Sequence, residues 1–234
     1  MKKWIIPTLL ICMIASIPPS IAQSRFQAGG SLTLGFPQNE FADNVDNIGF
    51  GLTGQFLFCF PQSPLSVGAS MNFLIYGSET YEDQLTQGAP VYVDVTTTNN
   101  IIMTHLLLRL QPPRGSVRPY VDGLLGFNYL WTRTRIENQV DEEIAGTTNF
   151  DDITFGWGGG VGISFRVFER RENANYYDGP KAVFIEAGVR YLRGGDAEYL
   201  KEGSIQQTGD DFVYDVLQSI TDIMTYHLGA TIAF

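Results

Sequence analysis

The chain has 234 residues and a net charge of −10; 44% of it is hydrophobic and 13% aromatic, yet only 17% is charged. Soluble domains usually carry about 25% charged residues, so part of this surface is expected not to face water. The acidic balance and the lack of a basic stripe exclude nucleic acid as an expected partner, because phosphate binding requires clustered Lys and Arg.

At the start, Lys2 and Lys3 precede an apolar run from Trp4 to Ile17, followed by Pro18, Pro19 and then Ser20, Ile21 and Ala22. This is the layout of a secretory signal cut after Ala22, with small residues at −3 and −1. The run is shorter than the roughly 20 apolar residues of a membrane-spanning helix, and it contains Pro7. Residues 1–22 are therefore expected to be a cleaved signal peptide, and residues 24–234 the mature domain. Cys12 follows Ile11 rather than a small residue, so no lipoprotein anchor is expected. Cleavage leaves Cys59 alone and unable to form an intramolecular disulfide. It also leaves 13 basic residues against 25 acids, a net charge of −12.

Beyond the signal the recurring period is two, the period of a strand with unlike faces. The apolar face first reads Ala28, Gly30, Leu32, Leu34, Phe36, then Ile48 to Phe60, Leu65 to Ile75 and Ile102 to Leu110 at every second position. It returns from Val121 to Trp131, Phe155 to Val167, Val183 to Tyr191 and Met224 to Phe234, which makes eight strands. Each reaches the roughly 9 to 11 residues that a tilted membrane strand needs.

Connection lengths alternate as well. Short ones span residues 61–64 and 111–118; long polar ones span 37–47, 77–99, 132–152 and 193–221. Short turns at one end and long loops at the other are the pattern of an outer-membrane barrel. The dozen residues of 168–180 stand where a tight turn is expected.

A soluble barrel would turn its apolar face inward and cover the other with charge. Instead the second face of the sixth strand reads Thr154, Gly156, Gly158, Gly160, Gly162, Ser164, and that of the third Ser66, Gly68, Ser70, Asn72. Small uncharged residues suit the narrow lumen of an eight-stranded barrel. The expected fold is all-β: an eight-stranded, antiparallel, up-and-down transmembrane β-barrel.

On this pattern the mature chain resembles the small outer-membrane β-barrels of Gram-negative bacteria, the OmpA transmembrane-domain and OmpX-like group. The last strand carries the specific likeness: His227, then Gly229, Ile232 and the terminal aromatic Phe234 are spaced like that group's C-terminal insertion signal. The resemblance implies recognition by the barrel-assembly machinery, residence in the outer membrane among lipids that include lipopolysaccharide, and no cofactor. Ending at Phe234, the chain is expected to lack the peptidoglycan-binding domain that follows the barrel in full-length OmpA-type proteins.

Parity points His105, Arg109, Tyr120, Asp122, Arg166, Glu186, Arg190 and His227 into the lumen. Charges in a narrow, partly desolvated interior need partners, so a polar plug of ion pairs is expected. A gated narrow pore is the alternative. A lipid-modifying enzyme or protease using His105 or His227 with Asp122 or Glu186 is a third reading, but no nucleophile motif accompanies these residues. Of the 25 acids, 20 lie in the four long connections or, for Asp222, at the edge of the last. These connections are expected to present an acidic outer surface, with Tyr81, Tyr92, Tyr199 and Tyr214 as candidate contacts for an extracellular ligand. No complete calcium-loop spacing occurs among the acids, so no metal site is expected.

Overall fold

The computed structural model describes residues 25–45, 47–84, 92–137, 143–170, 179–200, 206–208, 211–213 and 216–234. The signal segment, and with it the expected cut after Ala22, lies outside them. Strand β1 (Phe26–Pro37) leads through the short helix α1 (Glu40–Asn44) to β2 (Gly49–Cys59). Then follow β3 (Leu65–Gln84), β4 (Tyr92–Leu110), β5 (Val117–Glu137), β6 (Glu143–Glu169) and β7 (Ala182–Gly194). Four short strands come next: β8 (Asp196–Leu200), β9 (Gln206–Thr208), β10 (Asp211–Val213) and β11 (Val216–Ile220). The last is β12 (Ile223–Ala233).

Strands β1 to β7 and β12 close an antiparallel barrel, each pairing with the next and β12 returning to β1. The closing seam is complete, from Gln27 opposite Ala233 to Pro37 opposite Ile223. No membrane-level edge is left unpaired, which satisfies the backbone groups that lipid cannot. At one end the chain reverses tightly, helped by Gly115 at φ 112°, a conformation that glycine adopts without steric cost.

The long connections differ from the expected polar loops. Much of residues 77–99 and 132–152 is strand, with β3 paired to β4 as far as Gln84 opposite Tyr92, and β5 to β6 as far as Glu137 opposite Glu143. Threonines and β-branched residues such as Val93, Val95, Thr96, Thr97 and Thr98 favour extended backbone despite their polarity. Barrel strands β1, β2, β7 and β12 have 11 to 13 residues, whereas β3 to β6 have 19 to 27. A four-stranded wing therefore rises from one side of the long-loop end. From Ile75 to Gln84 it reaches roughly 30 Å at the usual rise per residue.

In the connection 168–180, the ladder continues past β6, with the Arg170 amide donating to the Lys181 carbonyl at 2.8 Å. Residues 171–178 lie outside the described ones.

Candidate functional site

The lumen is built from the second face of each barrel strand and holds two layers in series. The layer nearer the short turns is polar. Arg109 on β4 stands opposite Asp122 on β5, and its guanidinium forks onto that carboxylate, Nε to Oδ1 at 2.7 Å and Nη2 to Oδ2 at 2.9 Å. Its Nη1 donates to Glu186 of β7 at 3.2 Å. Arg190, four residues further along β7, donates to Asp122 Oδ2 at 2.9 Å and to Ser70 Oγ at 3.1 Å. Two guanidiniums and two carboxylates thus balance within one buried cluster. Such a cluster needs nearly complete hydrogen bonding to offset the cost of desolvating its charges.

Gln55 on β2 completes it. Its carbonyl accepts from Arg190 at 3.0 Å and Arg109 at 3.2 Å, and its amide donates to Glu186 at 2.8 Å. Ser164 donates to Glu186 at 3.0 Å and is itself held by Gln111 at 2.9 Å. Tyr120 lies under the Arg109 guanidinium, 3.8 Å from ring centroid to Cζ, and its hydroxyl meets His227 Nε2 at 3.0 Å.

Glycines on β6 and β7 make room for these long side chains. A Cβ on Gly160 would stand 2.6 Å from Arg190 Cγ, one on Gly162 would strike the Tyr120 ring, and one on Gly188 would stand 2.6 Å from both His227 Nε2 and the Tyr120 hydroxyl. The small second face read from the sequence is therefore filled from the neighbouring strands.

The layer nearer the long loops is apolar, where a lumen of small polar residues was expected. Leu74, Ile101, Met103, Leu130 and Ile223 are buried in one cluster. Helix α1 closes it: Phe41 packs edge-on against Tyr76 and Tyr199, with centroids 5.5 and 5.4 Å apart. Tyr199, expected as an exposed loop contact, is instead buried, its hydroxyl bonded to Ser219 at 2.7 Å and to Asn44 at 3.0 Å. It is drawn in because β8 folds against α1 over the mouth. The side chains of Tyr81 and Tyr92, and the whole of Tyr214, lie outside the described residues.

Of the eight residues assigned to the lumen from parity, Arg109, Asp122, Glu186 and Arg190 meet in one cluster, with Tyr120 and His227 against it. His105 is buried beside them, but its Nε2, like Asn72 Oδ1 and the Asn128 amide, has no hydrogen-bond partner among the described residues. This is the level where enclosed water would bind. Arg166 keeps the inward parity, opposite the buried Phe184. It sits at the short-turn rim, bonded to Glu169 at 2.6 Å and to Ser116 at 3.2 Å, away from the cluster. The strand is irregular there, with its register against β7 shifting between Arg166 and Phe168. Gln55 was missed, although its parity against Gly54 and Phe56 points it inward. In the last strand, His227 and Gly229 take the inward parity and Ile232 and Phe234 the outward one. A cavity of about 10 Å³, the size of one water, lies beside Gln55, Glu186, His227 and Gly229. Among the described residues no group of three or more His, Cys, Asp or Glu side chains could hold a metal ion.

Outside, the polarity is reversed. Leu52, Leu106, Phe127, Val161 and Leu228, all in the middle of their strands, are more than half exposed, and no charged side chain interrupts this band. Charge buried within and hydrocarbon exposed without is the inverse of a water-soluble barrel. The molecule is a transmembrane β-barrel of the outer-membrane kind. No family model and no curated protein matches the chain. Among solved structures it is similar to Neisserial surface protein A, at 10% identity over 92% of this chain and 100% of that one, with a TM-score of 0.45. It is also similar to Ail, the attachment invasion locus protein of Yersinia pestis, at 13% identity over 91% and 100%, with a TM-score of 0.43. A major outer membrane protein of Thermus thermophilus matches at 12% identity over 89% and 99%, with a TM-score of 0.42.

Proposed function

We propose that this chain is a sealed, non-enzymatic barrel of the Gram-negative outer membrane whose function lies at its outer end, where it presents an acidic wing to partners outside the cell. The observation that carries this reading is the pairing of a closed lumen with a sheet built far taller than the membrane requires. An ion-paired layer and an apolar layer block the axis in series, so a gated pore would have to dismantle both. Catalysis is disfavoured by the partners of the lumen hydroxyls: Ser70 and Ser164 are bonded to Arg190 and Glu186 rather than to a histidine. The wing, by contrast, continues β3 to β6 as one ladder in which β4 and β5 are paired on both sides, a scaffold that can hold side chains in fixed positions away from the bilayer.

The test is topological. Thr80→Cys on the wing should react with a membrane-impermeant maleimide on intact cells, and Ser116→Cys at the opposite rim only after permeabilisation. Cys59 is buried and adds little background. Labelling in the reverse order, or recovery of the protein from the soluble periplasm, would overturn the reading.

A further inference from the structure

The short-turn rim carries an opposite charge from the rest of the chain, and its cations are not spread evenly around it. Among the described residues Arg25, Arg114, Arg118, Arg166, Arg170 and Lys181 stand there with one acidic side chain, Glu169. The side chains of the described residues leave the rim at +5, while by sequence the long connections and their edges carry 20 acids against Arg133, Arg135, Arg193 and Lys201.

Backbone hydrogen bonds put most of these cations at one axial level. Arg25 N bonds Phe234 O at 3.1 Å, Lys181 N bonds Ala233 O at 2.7 Å, Arg170 N bonds Lys181 O at 2.8 Å, and Arg166 N bonds Ser116 O at 2.8 Å. This traces a continuous arc over β1, β12, β7, β6 and β5. The turn between β2 and β3, residues 60–64, carries no charge at all.

A second feature falls on the same arc. The register shift at the foot of β6 leaves Val167 and Phe168, consecutive residues, both outward and both more than half exposed. Regular alternation would have hidden one of them. Apolar side chains directed at the acyl boundary beneath a line of guanidinium and ammonium groups match the two halves of a phospholipid.

We infer that this arc is a binding site for anionic phospholipid headgroups in the inner leaflet, selecting phosphatidylglycerol-type over zwitterionic lipid on one flank of the barrel. The inference rests on the reading that the exterior meets lipid. Electrostatic attraction of an anionic headgroup by one nearby cation corresponds to a preference of about five-fold.

The experiment uses the full mature chain in neutral detergent, first shown to be folded by its shifted migration when unboiled. It is then mixed with equimolar phosphatidylglycerol and phosphatidylethanolamine, and retained lipid is counted by native mass spectrometry. The native protein should favour phosphatidylglycerol by about five-fold or more. The triple variant Arg25→Gln, Arg114→Gln, Lys181→Gln leaves in place Arg118, Arg166 and Arg170, whose guanidiniums bond other parts of the rim, and should fall to near parity. Arg133→Gln with Arg135→Gln at the far end should keep the native preference. Parity in the native protein, or an undiminished preference in the triple variant, overturns the site. Retention of neither lipid by any folded form would instead remove the membrane reading beneath it.

Discussion

Arg109 and Asp122 face each other across neighbouring strands and are joined by two hydrogen bonds of 2.7 and 2.9 Å, with the side chains of both wholly buried. Asp122 also receives Arg190, so one carboxylate holds two guanidiniums. Removing it strands both. Asp122→Asn should lower stability by about 3–5 kcal/mol, the usual cost of orphaning one side of a buried pair. Replacing Arg109 and Asp122 together with Met and Leu should cost less than the sum of the single changes, since no charge of that pair is then left buried. Urea unfolding in lipid vesicles, followed by tryptophan fluorescence, measures both; strict additivity would show that the two residues do not act as a pair.

Much of this cluster was legible in the sequence because period two decides which side of a barrel wall a residue faces, and a charge on the inner side must find a partner. Arg166 keeps the inward parity, opposite the buried Phe184, but stands one step nearer the rim than Ser164, where Glu169 and solvent answer its charge instead of the cluster. Gln55 carries no charge and so drew no attention. The apolar outer layer had a signal that went unused. Ile101, Ile102 and Met103 are apolar on both parities, as expected of a strand buried against lipid and core alike. The wing was hidden because its threonines read as loop by polarity and as strand only by shape.

Glycine content offers a sharper test of the inner packing. Gly162→Ala puts a methyl into the Tyr120 ring, and Gly188→Ala puts one against Tyr120 and His227. Each should cost about 1–3 kcal/mol through overpacking. At Gly54, on the outer face of β2, a Cβ would meet nothing within 4 Å, so Gly54→Ala should change stability by no more than about 0.5 kcal/mol. Equal effects at inner and outer glycines would refute the account of the lumen as filled from neighbouring strands.

Phe41 is the side chain through which α1 seals the outer mouth. Phe41→Ala should cost about 3 kcal/mol or more, because the cavity opens between two tyrosines tied into other elements. Its partners Tyr76 and Tyr199 are not shared with Asp122. The double variant Phe41→Ala with Asp122→Asn should therefore be additive within about 0.5 kcal/mol. In planar bilayers neither single variant should conduct, since the other layer still blocks the axis. Conductance steps from either one would show that a single layer forms the seal.

The apolar band makes the strongest demand on position. Leu106 stands outward on β4 between Ala69 of β3 and Leu125 of β5, and is 64% exposed in the absence of lipid. In water an exposed Leu→Arg change is close to neutral, but at the middle of a bilayer an arginine on the lipid face of a barrel costs about 2–4 kcal/mol. Leu106→Arg should accordingly fold in detergent and lose stability by that amount in vesicles. Thr80→Arg, far up the wing, should leave stability unchanged in both. The loss relative to the native protein in vesicles is the informative quantity, because Leu106 is outward and its replacement touches no internal packing. A Leu106→Arg variant as stable in vesicles as the native protein would place that face in water and remove the membrane assignment.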